Sequence, residues 1–82
     1  MDTQKVLQDL LELLEELSIE VKYHRGNFRG GLVYYDGSKY FYLNRKDNVE
    51  TQISLIASEL KQNNLGMERL PTLLENIEEY QN

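Results

Sequence analysis

From Thr3 to Leu17 apolar residues recur every three or four positions, at Val6, Leu7, Leu10, Leu11, Leu13, Leu14 and Leu17. This spacing predicts an amphipathic helix with a wide buried face. Asp2 and Thr3 are the candidate N-caps, because a short side chain bearing an oxygen can accept a free N–H of the first turn. After Ser18 the period falls to two. Ile19, Val21 and Tyr23 alternate with Glu20, Lys22 and His24, the pattern of a strand with one buried face. Two further strands are predicted over Leu32 to Tyr35 and Lys39 to Leu43. Asp36-Gly37 between them predicts a tight hairpin, since a primed turn needs positive φ, which glycine adopts freely and aspartate tolerates. The stretch from Arg25 to Gly30 is expected to join the first two strands as a second hairpin.

Helical spacing returns at Val49, Ile53, Ile56, Ala57 and Leu60. Asp47, three residues before Glu50, fits the opening of a capping box, and Asn63-Asn64 with Gly66 fits the end of the helix. Leu70-Pro71 introduces a short last helix, with Pro71 in the first turn and Leu73, Leu74 and Ile77 facing inward. The order α-β-β-β-α-α predicts a single α+β domain over residues 1–82, a three-stranded antiparallel sheet packed on helices through one face.

The Asp36-Gly37 turn fixes a register in which Tyr35 faces Ser38, Val33 faces Tyr40 and Gly31 faces Tyr42. Leu32, Phe41 and Leu43, with Tyr34 and Lys39, then share the side expected to meet the helices. Val33, Tyr35, Tyr40 and Tyr42 share the other, and that tyrosine-rich face is expected to serve self-association or a protein partner. The register also carries Arg45 and Lys46 to the end of the sheet where Arg25 and Arg29 lie, beside the start of the second helix. Arg25, Arg29, Gly30, Gly31, Arg45 and Lys46 are therefore a candidate anion site: cations, glycines that let backbone N–H groups approach a ligand, and a helix N-terminus.

Charge sharpens this reading. The chain of 82 residues carries a net −5, yet Lys22 to Lys46 holds six basic residues (Lys22, Arg25, Arg29, Lys39, Arg45 and Lys46) against one acid, Asp36. The same window holds seven of the eight aromatic residues. A basic, aromatic centre between acidic ends makes single-stranded nucleic acid an alternative partner. Cysteine is absent, which excludes disulfides, thiolate metal sites and cysteine nucleophiles. The apolar stretch from Val6 to Leu17 is interrupted by Gln8, Asp9, Glu12, Glu15 and Glu16, so neither a signal peptide nor a membrane span is expected, and the cytoplasm is the expected address. The single histidine, His24, supplies no metal cluster and no serine triad. No catalytic residue, metal or cofactor is expected, and the chain reads as a non-enzymatic interaction module.

Three resemblances bear on this expectation. The order helix, three strands, helix is similar to the double-stranded RNA-binding domain. That family, however, opens its second helix with a run of lysines, where this chain has Asp47 and Glu50, and the acids Glu12, Glu15 and Glu16 on the first helix would repel phosphate. The stretch Tyr40 to Gln62 resembles the strand and helix of small zinc peptidases bearing H-E-x-x-H. Ser58 and Gln62 stand where the histidines belong and Glu59 alone matches, which implies at most a metal-free relative. The pattern Tyr23, Gly26, Phe28, Gly30-Gly31, with a hairpin ending near Leu43-Asn44-Arg45, resembles a group of small bacterial single-domain proteins of uncharacterised function. In that group a cysteine follows the double glycine, where this chain has Leu32-Val33. The resemblance implies the fold and a bacterial setting, and carries over no site residue and no activity.

Overall fold

Asp2 caps the first helix, its carboxylate accepting the N–H groups of Gln4 and Lys5 at 3.0 and 3.3 Å. The computed structural model describes residues 2–75. Its elements are α1 (Thr3–Glu16), β1 (Ile19–His24), β2 (Gly31–Tyr35), β3 (Ser38–Asn44), α2 (Val49–Gln62) and α3 (Leu70–Leu74). This is the expected α-β-β-β-α-α order of an α+β fold. Ile77, expected on the inner side of the last helix, lies outside the described residues. Among the described residues no helix is long and apolar enough to cross a membrane.

The sheet is mixed, and this corrects the expectation of an antiparallel one. Its order is β1-β3-β2, with β3 antiparallel to β2 and parallel to β1. The expected hairpin between the first two strands is therefore absent. The physical reason lies in the strands' composition. β3 is the longest strand, seven residues against six and five, and its run Tyr40-Phe41-Tyr42-Leu43 supplies two fully buried side chains; a middle strand, flanked on both edges, shields such a run best. β1 alternates with Glu20 and Lys22, whose charges suit an edge. The connection from Arg25 to Gly30 steps across the end of β3 to reach the far side. Neighbouring strands lie about 4.8 Å apart, so the step spans roughly 10 Å, well within the reach of this loop.

The hairpin of β2 and β3 has the expected register, with Tyr35 opposite Ser38, Val33 opposite Tyr40 and Gly31 opposite Tyr42. Asp36 and Gly37 both take positive φ, +51° and +81°, as the primed turn requires. On the helix side, Phe41 and Leu43 are completely buried among Leu10, Leu14, Ile56 and Leu60. Val21 and Ile19 of β1 join them, because the parallel register sets Val21 beside Phe41. α1 packs on β1 and α2, and the described part of α3 lies against α1. Leu55, not among the expected core residues of α2, is buried as well. Tyr34 departs from expectation in the other direction: it sits at the hairpin end, beyond the cover of the helices, and is 61% exposed.

Candidate functional site

Because β1 and β3 run in the same direction and β2 in the opposite one, the end of β1, the start of β2 and the end of β3 meet at one end of the sheet. Strand direction, not strand order, decides this, so the basic end survives the correction to the topology. Its organiser is Asn44, the last residue of β3 and the one buried polar residue among those described. Its Nδ2 donates to the carbonyls of Gly26 and Phe28 at 2.7 and 2.9 Å, and its Oδ1 accepts the N–H of Lys46 at 3.1 Å. The N–H of Arg45 donates to the His24 carbonyl at 2.8 Å, and Lys46 Nζ donates to Asn27 Oδ1 at 3.3 Å. The loop that carries Arg25 and Arg29 is thereby laced to the segment that carries Arg45 and Lys46.

All four cations are exposed. Among the described residues the ion pairs are Lys5 with Asp9, Lys22 with Glu20 and Arg69 with Glu16, and none involves Arg25, Arg29, Arg45 or Lys46. The Arg45 guanidinium instead lies over the ring of Tyr23, 5.4 Å from its centroid. Partial burial raises the Tyr23 hydroxyl above its ordinary pKa, and the positive charge of Arg45 partly offsets that. Tyr23 and Phe28 are each 38% exposed beside these cations.

Gly30 and Gly31 also sit where the chain passes close to its neighbours. A Cβ on Gly30 would sit 2.0 Å from the carbonyl oxygen of Tyr42, so Gly30 is where the crossing loop lies directly on β3. Past it, the N–H of Leu32 donates to Glu59 Oε1 at 3.0 Å, and Gly31 lies against the same carboxylate. An internal carboxylate thus takes up the N–H that follows the double glycine. The start of α2 is similarly filled. Asn48, not Asp47, is its N-cap, with Oδ1 accepting from Thr51 N–H at 2.8 Å. The Asp47 carbonyl accepts from Gln52 Nε2, and Glu50 places a negative charge in the first turn. What remains available to an anion is the set of side chains.

Phe28, Arg29, Gly30, Gly31, Leu32, Val33, Tyr42 and Glu59 line an open hollow of about 520 Å³ at the start of β2. A smaller one, about 170 Å³, lies between Arg29 and α2, lined by Asp47, Thr51, Ser54, Leu55 and Ser58. Arg29 borders both. The open face of the sheet carries Val33, Tyr35, Tyr40 and Tyr42, with Tyr35 71% exposed. Its second half was not legible as a tyrosine ladder alone, because the parallel register sets Glu20, Lys22 and His24 of β1 beside Tyr40, Tyr42 and Asn44. The Lys22 ammonium lies 5.6 Å from the Tyr40 ring centre while paired with Glu20 at 2.9 Å, and the hydrogen bond to Glu20 raises its pKa. His24 stacks on Tyr42, with ring centres 5.5 Å apart and planes inclined by 22°.

Sequence reasoning missed Asn44 and Glu59 as organisers of this end. The usable signal was a carboxamide closing an apolar strand run, since a buried amide must find partners on the chain that crosses it. Of the residues that carry the zinc-peptidase resemblance, Ser58 borders the small hollow and Glu59 is committed to Leu32. Comparison of the chain with protein-family models, with curated proteins and with solved structures finds no match.

Proposed function

We propose that this is a non-enzymatic binding domain that takes an extended polyanion across the basic end of its sheet. The observation that carries the reading is the set Arg25, Arg29, Arg45 and Lys46. They are exposed, held together by Asn44 and its neighbours, and without an ion pair among the described residues. A folded acidic chain that keeps four cations at one end, none of them in an ion pair among the described residues, offers a surface there for negative partners. The reading is carried by the four side chains rather than by Gly30 and Gly31, beside which Glu59 already holds the Leu32 N–H. Inorganic polyphosphate is the direct probe. At low ionic strength it is expected to shift the amide resonances of 24–30 and 44–47, with the shifts reversed by added salt. The double variant Arg25→Glu, Lys46→Glu is expected to weaken binding at least about tenfold. Unchanged spectra at millimolar polyphosphate would remove the reading.

A second reading rests on a different observation, the exposed edge of β2. Val33, Tyr34 and Tyr35 form a short outer strand without lysine, proline or bulge to protect it, and Tyr35, Tyr40, Tyr42 and Val33 continue that surface onto the open face. Pairing of two such edges would join two sheets into one. Sedimentation equilibrium up to millimolar protein is expected to show a weak monomer–dimer equilibrium, abolished by Tyr35→Lys. A strictly monomeric mass over that range would exclude it.

A further inference from the structure

We infer that the polyanion suited to this end is a single-stranded nucleic acid, one of whose bases enters the hollow between Phe28 and Tyr42 while its phosphates follow the surrounding cations. This deepens the polyanion reading and rests on it. The reason is the way charge and rings are sorted. Arg29 stands at the border of the hollow, and Phe28 and Tyr42 form part of its lining. Glu59 lines it too, with Oε1 fixed by the Leu32 N–H.

A carboxylate at that position repels a phosphate or an acidic side chain from the hollow, whereas it accepts an N–H from a flat neutral group. The partner must therefore bring negative charge to the rim and an uncharged planar group to the interior. A nucleotide chain alternates these two chemistries along its length. An acidic peptide offers charge at both places and is disfavoured at the second. The ring platform is preformed: His24 stacks on Tyr42, and Asn44 holds the carbonyl of Phe28. Duplexes are a poor match, because their bases are already stacked and paired and cannot enter a hollow on the protein.

The test compares a labelled ten-nucleotide single strand, inorganic polyphosphate of similar charge and poly-glutamate, each by fluorescence anisotropy or competition at 50 mM salt. The single strand is expected to bind more tightly than polyphosphate, and poly-glutamate more weakly than both. If the four cations each meet a phosphate, affinity for the strand falls about 50-fold between 50 and 200 mM salt. Phe28 is half-exposed in a loop, so Phe28→Leu and Phe28→Ser leave the fold intact by thermal melting. Phe28→Ser is expected to weaken the single strand roughly tenfold and polyphosphate not at all. Equal binding of strand and polyphosphate, with no effect of Phe28→Ser on either, would overturn the nucleic-acid inference and leave the polyanion reading standing. Binding of poly-glutamate in preference to the strand would assign an acidic protein partner instead. No binding of any of the three would overturn both readings.

Discussion

Gly30→Ala is expected to remove roughly 3–5 kcal/mol, a large share of the stability a chain of this size has. The added methyl would sit 2.0 Å from the Tyr42 carbonyl oxygen and 2.9 Å from its carbon, and 3.1 Å from a methyl of Leu55. The first two obstacles are backbone of the central strand, which cannot turn aside as a side chain can. The loop would have to lift from β3 by about 1 Å, and Asn44 would then lose its bonds to Gly26 and Phe28 on the same loop. Overpacking costs about 1–3 kcal/mol and each hydrogen bond lost about 0.5–1.5 kcal/mol, which together reach roughly 3–5 kcal/mol. A chain of 82 residues has about 4–12 kcal/mol of stability in all. Urea unfolding followed by tyrosine fluorescence and circular dichroism checks this. Gly26→Ala is the internal comparison, because a Cβ there would meet only the Phe28 ring at the ordinary distance of 3.7 Å. Its midpoint is expected to stay within about 0.5 kcal/mol of the parent's stability. Similar midpoints for the two variants would mean that the loop does not lie on β3 as described.

The same glycine marks the boundary between what the sequence disclosed and what it withheld. Asp36-Gly37 is a local signal, complete in two residues, and it delivered the β2–β3 register residue by residue. The neighbour of β1 is a non-local matter. Both candidate partners, β2 and β3, satisfy its period-two pattern, and the choice follows from which strand gains most by being central. Phe41 and Leu43 at zero exposure show the outcome of that competition. The glycine-rich run was read as a turn or a ligand cradle because its residues permit both. Its use as a bridge over a carbonyl becomes visible only once β3 lies beneath it.

The basic end fared better than the sheet order because it depends on less. In this chain direction alternates from each strand to the next, and the β1–β2 hairpin expected from the sequence would have aligned the same strand ends, so Arg25, Arg29, Arg45 and Lys46 share one end under either strand order. Their freedom from ion pairs was not legible, since Asp47 and Glu50 are near in sequence and could have met them. The structure uses Asp47 through its backbone carbonyl and leaves Glu50 at the exposed first turn of α2. Glu59 illustrates the opposite case. In the sequence it stood out only as the one match to a peptidase motif, while its carboxylate in fact closes the outer edge of β2 at Leu32.

Asn44→Ala is expected to cost about 2–4 kcal/mol and to abolish polyanion binding before it abolishes the fold. The carboxamide satisfies two carbonyls of the crossing loop and one N–H of the segment after β3. Truncation leaves those groups to find water at a position 4% exposed, and each unsatisfied group costs about 1–3 kcal/mol, less where water enters. Asn44→Asp separates the two halves of the interaction. It keeps an acceptor for the Lys46 N–H but sets a carboxylate oxygen against the Gly26 and Phe28 carbonyls, where a donor stood. It is therefore expected to destabilise at least as much as alanine, although it preserves size and shape. Urea midpoints rank the variants. Hydrogen exchange locates the damage, with the amides of Arg45 and Lys46, bonded to His24 and Asn44, losing protection while those of Leu10, Leu14 and Ile56 retain it at low denaturant. Under those conditions the four cations remain on the chain but no longer share one surface, and affinity for polyphosphate should fall with that protection. A variant that loses it yet binds as the parent does would show that charge alone, without this arrangement, attracts the ligand.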